Sequence, residues 1–180
     1  NRQLLQYMQN HFADKAEIEL VEIKDIPVFN KPANKQVPEA VLEIAAKIEE
    51  ADGVIIGTPE YDHSIPAVLM SALAWLSYGI YPLLSKPVMI TGASYGTLGS
   101  SRAQLQLRQI LNSPEIKATV LPDEFLLSHS LQAFDQNGNL VDLDVIKKLD
   151  AIFDDFRIFV KVTEKLRNAQ ELLRKDAEDF

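Results

Sequence analysis

Two stretches of this chain, residues 52–76 and 86–111, are written in one grammar, and that repetition limits the fold more than any other feature. Each starts with a short apolar run of the kind a buried strand carries: Asp52-Gly53-Val54-Ile55-Ile56, and Lys86-Pro87-Val88-Met89-Ile90-Thr91-Gly92. Each then passes through a polar loop into apolar residues at helical spacing. These are Ile65, Leu69, Ala72, Leu73 and Leu76 after the first loop, and Ala103, Leu107, Ile110 and Leu111 after the second. Strand, loop and helix twice over predict a mostly parallel sheet with helices on both faces, a doubly wound α/β domain. In such sheets ligands bind at the carboxyl ends of the strands. The loops 57–66 and 93–100 are therefore expected to form two walls of one crevice. Ser64 is a candidate N-cap for the helix that follows, with Pro66 in its first turn.

The remaining segments fit around this pair. Residues 1–12 read as a helix with Leu4, Leu5, Met8 and Phe12 on one face, and residues 17–23 alternate polar and apolar like a half-buried edge strand. A Pro- and Asn-containing loop, 25–36, leads to a helix opened by Pro38 and Glu39. The 78–85 connection, with Trp75 nearby, is either core packing or a subunit interface rich in aromatics. Residues 118–121 form a strand that 124–127 extends after Pro122. Asn137-Gly138 marks a type I′ turn, and Asp142 starts a long helix whose stripe is Ile146, Leu149, Phe153, Phe156 and Val160. The organisation predicted is one domain over 1–160 and a charged helical extension over 161–180. A sheet of this kind normally opens on a strand, which is expected ahead of Asn1.

Composition narrows the function. A net charge of −8 argues against nucleic acid and anionic membrane as partners, since both need a basic face. With no cysteine there is neither thiol catalysis nor a thiolate metal site, and a reducing cytoplasm is expected. His11, His63 and His129 have no metal-ligand spacing. Asp62-His63-Ser64 holds the residue types of a hydrolase triad, but consecutive residues cannot form its relay.

Thr58-Pro59-Glu60-Tyr61-Asp62 with Ser64-Ile65-Pro66 resembles the TPEYN-x-SIP signature of the NAD(P)H-dependent FMN reductases, a flavodoxin-like family. Lys86-Pro87-Val88, Gly92-Ala93-Ser94, Gly96, Gly99, Arg102-Ala103-Gln104 and Leu107-Arg108 resemble its second block, and Phe134-Asp135, Gly138 and Asp142 a later one. Asn1-Arg2 followed by Leu4-Leu5 is similar to the tail of its phosphate loop. Asp62 departs from the family's Asn and either weakens binding of an anionic reduced flavin or points to solvent.

The resemblance implies a flavodoxin-like fold, FMN as cofactor and NADPH or NADH as donor. It implies transfer of two electrons to a small acceptor such as free flavin, a quinone or an azo compound, by a homodimer or homotetramer. The cofactor-binding residues it implies are Asn1, Pro59, Glu60, Tyr61, Asp62, Ser64, Ala93, Ser94, Tyr95, Gly96 and Gly99, with Glu60 using its backbone amide rather than its carboxylate. Hydride transfer on flavin N5 needs no protein acid or base, so no catalytic side chain is expected. A helix start suits the FMN phosphate, and glycines let backbone N–H groups approach the ring. His63 is a side chain at the crevice mouth or a proton donor. Tyr95 is either solvent-side or a cover for the ring. Arg102 meets coenzyme phosphates or makes a surface ion pair. The competing readings are an FMN electron carrier without nicotinamide turnover and a phosphoacceptor module, which would need an acidic pocket that the strand ends do not offer.

Overall fold

A computed structural model describes the backbone of residues 1–178 and the side chains of residues 1–170. Helix α1 (Arg2–His11) is followed by α2 (Glu39–Glu50), β1 (Val54–Gly57), α3 (Ala67–Trp75), β2 (Pro87–Ala93), α4 (Ser101–Leu111), β3 (Thr119–Val120), β4 (Phe125–Leu127) and α5 (Leu143–Glu178). Every pairing between these strands is parallel. β1 lies along one edge of β2, with Val54 opposite Val88 and Gly57 opposite Thr91. On the other edge β3 pairs at Pro87 and Val88, and β4 at Thr91 to Ala93. The two short strands thus fill one strand position, stepping out of the ladder between Leu121 and Glu124. Arg108 sits in the gap and donates to Leu121 O at 2.6 Å and Asp123 O at 2.8 Å, satisfying carbonyls that the break frees.

β2 is buried at all seven residues, as a central parallel strand must be. Its alternate side chains feed two cores. Val88 and Ile90 pack with Val41, Leu69, Leu73 and Leu107 from α2, α3 and α4. Met89 and Ala93 pack with Leu4, Met8, Leu149 and Phe153 from α1 and α5. Phe12 and Phe153 stack with centroids 3.8 Å apart, tying the end of α1 to α5. The sheet is therefore covered on both faces, as the repeated units require.

Several local expectations are corrected. Residues 17–23 keep their alternation, with Ile18 and Leu20 half-buried and Glu17 and Glu19 exposed, but they form no strand. Alternation reports a half-buried extended segment; a strand also needs a hydrogen-bonding neighbour, and among the described residues none lies beside it. Ser64 does not cap α3. Its N–H and C=O are committed to Tyr61, and the N-cap is Pro66, where a missing N–H costs nothing. Asn137-Gly138 is not a type I′ pair, because only Gly138 has positive φ (84°). Asp135 O accepts from Gly138 N–H and Asp135 N–H donates to Asn139 O, a three-residue loop closed by a left-handed glycine. Asp142 does cap α5, accepting from Asp144 N–H at 2.9 Å. α5 runs unbroken past residue 160. Trp75 and Leu83 belong to the core, whereas Tyr81 and Leu84 are exposed. Among the described residues no helix is long and apolar enough to cross a membrane.

Candidate functional site

The carboxyl ends of β1, β2 and β4 bring three loops and the start of α1 together. Thr58 N–H continues the ladder to Thr91 O at 2.9 Å, so the first loop leaves the sheet beside the second. Tyr61 and Ser64 exchange N–H···O bonds of 3.0 and 2.8 Å across Asp62 and His63. Both central residues have positive φ, 49° and 65°, as a type I′ turn requires. Asp62 stands where the family has Asn, and both residue types tolerate this backbone through their short polar side chains. Asp62 and His63 are exposed, and Tyr61 is 63% exposed at the rim.

The Glu60 carboxylate is engaged within the protein: it accepts from Arg102 N–H at 3.0 Å, Ala103 N–H at 3.4 Å and Arg102 Nε at 2.5 Å. It also forms an ion pair with Arg102 Nη2. Ser100, the N-cap of α4, makes no side-chain cap bond, so Glu60 from the neighbouring loop caps that helix instead. Burial is the largest single influence on Glu60 and opposes its charge. The Arg102 side chain and the two backbone donors together outweigh it and hold the carboxyl below its usual range. Arg102 Nη1 lies 2.8 Å from His63 Nε2, so the arginine closes a clasp between the turn and α4.

The second loop is held from both sides. Asn1 presents its amide to Ala93, accepting from Ala93 N–H at 2.9 Å and donating to Ala93 O at 3.1 Å. This joins the start of α1 to the end of β2. Ser94 N–H donates to Leu127 O, Ser130 N–H to Ser94 O and His129 N–H to Gly96 O, each at 3.0 Å. Ser128 Oγ reaches Thr97 O at 2.6 Å. This third segment, Ser128-His129-Ser130, was missed in the sequence. The signal was there, since a Ser-His-Ser run directly follows an apolar one, as in the other two loops.

The glycines divide by role. A Cβ on Gly92 would lie 1.9 Å from Ser100 Oγ and 2.4 Å from Thr58 O, and one on Gly99 (φ +56°) would press on Leu126 at 2.7 Å. Both are required by packing. Gly96 has nothing within 4 Å of the added carbon. It faces open space, beside Tyr95, which is 74% exposed. The N–H groups of Glu60, Asp62, His63, Tyr95, Gly96 and Thr97 have no acceptor among the described residues. An open glycine face, exposed aromatic rims and free N–H groups suit a flat, polar-edged ring such as that of FMN. Two recesses open elsewhere, one around Asp52, Lys86 and Thr163 at the opposite end of the sheet and one between residues 20–26 and α2.

Parallel strand order, helices on both faces and loops gathered at the strand ends define a flavodoxin-like α/β protein. The chain belongs to the NADPH-dependent FMN reductase family, whose model matches residues 1–132. It is similar, with 52% identity over 177 residues, to the NADH:(hydroxy)cinnamate reductase subunit CrdA of Vibrio ruber, covering 98% of this chain and 88% of that protein. It is 46% identical over 171 residues to NADH-dependent flavin reductase subunit 2 of Lactobacillus johnsonii, covering 92% of each. Among solved structures it resembles FerB, a flavoenzyme NAD(P)H:(acceptor) oxidoreductase from Paracoccus denitrificans, with a TM-score of 0.73, 27% identity and coverage of 91% and 89%. It is thus an FMN-dependent oxidoreductase that passes two electrons from NAD(P)H to a small acceptor. This family places the chain with reductases rather than with electron carriers that lack nicotinamide turnover.

Proposed function

We propose that FMN is held between the 58–64 and 93–97 segments. Pro59, Tyr61, Asp62 and Ser64 form one wall, and Ala93, Ser94, Tyr95 and Gly96 the other. Glu60 and Gly99 shape these walls, Glu60 through the α4 clasp and Gly99 through its packing on Leu126. Asn1 fixes the start of α1, where free N–H groups and the helix dipole suit the phosphate. When bound, FMN supplies the two-electron chemistry between nicotinamide and acceptor. The protein's residues position the partners and keep the pocket's polar edge supplied with N–H donors.

The observation that carries this reading is Gly96, the glycine of the second loop that faces open space while Gly92 and Gly99 are closed in. Flavins, quinones and azo compounds are the acceptors that suit an open, aromatic-edged crevice. We assign the protein to the cytoplasm, which fits its lack of cysteine. We further propose a homodimer or homotetramer. Exposed Val68, Met70, Leu98 and Leu105 on and beside α3 and α4 support that reading.

The test is the visible spectrum of the full-length purified protein. Flavin bands bleached by NADH or NADPH are expected, with loss of flavin but not of fold in Gly96→Val. A colourless protein that cannot be reconstituted with FMN would refute the reading. Light scattering on the same sample reports the oligomeric state, and a monomer would refute that part.

A further inference from the structure

We propose that α5 pairs antiparallel with α5 of a second copy of this chain, along a seam over residues 151–169. One face of α5 is already used: Leu149, Ile152, Phe153, Phe156 and Thr163 are buried against the body. Another face carries Ala151, Asp155, Ile158, Val162, Lys165 and Ala169, all exposed. Their spacing alternates four and three, the repeat that keeps a single stripe turned toward a partner helix. Ile158, Val162 and the neighbouring Leu166 are each more than half exposed. From 164 to 170 no residue is buried, so this part of α5 has no packing partner among the described residues. The seam lies outside residues 1–132, the part that the family model matches.

The order of the stripe identifies its occupant. Turned end for end about residue 160, the sequence Ala, Asp, Ile, Val, Lys, Ala meets its own complement. Ala151 falls opposite Ala169, Asp155 opposite Lys165 and Ile158 opposite Val162. Small meets small, acid meets base and β-branched meets β-branched, and a two-fold axis makes each match twice. A parallel pair would instead set Asp155 on Asp155 and Lys165 on Lys165, like charge on like. Neither Asp155 nor Lys165 makes an ion pair among the described residues, so both charges are left for this contact. A helix pair of about five turns is smaller than a standard protein interface, so it adds to the α3–α4 face rather than replacing it. Two different self-complementary contacts on one chain close as a pair of dimers. Of the two states proposed above this selects the homotetramer; for the α3–α4 contact it rests on that reading, and for the seam on α5 alone.

The chain has no cysteine, so introduced thiols report the contact without background. In full-length Asp155→Cys/Lys165→Cys the two thiols of one helix stand about 15 Å apart along its axis and cannot bridge. Mild oxidation is expected to give a covalent dimer on a non-reducing gel, with mass spectrometry mapping the bridge from position 155 of one chain to 165 of the other. Neither single variant is expected to link to itself. Linkage of a single variant, or none in the double variant, overturns the antiparallel seam. Light scattering of Val162→Glu is expected to give half the wild-type mass, with helical content by circular dichroism unchanged. Asp155→Lys is expected to weaken the pairing by about tenfold or more, and Asp155→Lys/Lys165→Asp to restore it. A wild-type monomer refutes both this inference and the homo-oligomer reading. A Val162→Glu protein of wild-type mass refutes this inference alone. A wild-type dimer that Val162→Glu splits supports the seam and refutes the α3–α4 contact.

Discussion

Replacing Gly92 by alanine would put a methyl carbon 1.9 Å from Ser100 Oγ, 2.4 Å from Thr58 O and 3.1 Å from Gln104 Nε2. The hydroxyl can rotate away, but Thr58 O is backbone at the root of the first loop, and Gln104 is itself fully buried and bonded to Phe125 O. Relief must come from prying the first loop off β2. Overpacking typically costs 1–3 kcal/mol, and a backbone contact this short puts the cost at about 3 kcal/mol or more. For a chain of this size that lowers the melting temperature by about 6–12 °C. Gly96→Ala is the control within the same loop. Its Cβ meets nothing within 4 Å and its φ is outside the left-handed region, so the fold should be unharmed or gain up to about 1 kcal/mol from a less flexible unfolded chain. The methyl instead occupies the space assigned to the ring, and FMN binding should weaken by about tenfold or more. Calorimetric melting of the apoproteins and fluorescence titration with FMN separate the two effects. A Gly92→Ala protein that melts like wild type, or a Gly96→Ala protein with unaltered FMN affinity, would refute the division of roles among these glycines.

Other expectations follow from the same contacts. Because the folded Glu60 carboxyl titrates below its unfolded value, its charge stabilises the protein above the ordinary carboxyl range. That contribution fades as the pH falls through the depressed value. The stability gap between wild type and Glu60→Gln in urea titrations should be widest near neutrality and shrink below about pH 4, and a gap independent of pH would count against the clasp. Arg108→Ala leaves the Leu121 and Asp123 carbonyls without their donor and should cost about 2–3 kcal/mol, with Arg108→Lys recovering only part of it; chemical denaturation measures both. Phe153→Ala removes the ring stacked on Phe12 and should cost about 3–5 kcal/mol, read in the same way.

Much of the fold was legible because periodicity and burial are properties of the chain itself. The apolar residues picked for α3, Ile65, Leu69, Ala72, Leu73 and Leu76, are all buried, as are Ala103, Leu107 and Leu111 of α4. What escaped depends on partners. Residues 17–23 carry a strand's alternation without a neighbour to bond. Asn137-Gly138 looks like a two-residue hairpin loop until Asp135 takes N–H groups from Asn137 and Asn139 and lengthens it. The actual type I′ turn uses Asp62-His63, a pair no turn preference would select ahead of Asn-Gly. At the site, the loops were recognisable but their wiring was not. Glu60 and Arg102 are 42 positions apart in the chain, so nothing local announces that one caps the helix of the other.

The paired hydrogen bonds between Asn1 and Ala93 have a mechanical consequence. A side-chain amide bound at both its polar atoms to the N–H and C=O of one residue cannot swivel, so the first turn of α1 and the second loop behave as a single bracket. The span between the start of α1 and Gly96 is then set by backbone geometry rather than by rotamer choice, and a ligand that touches both ends has to match it in length.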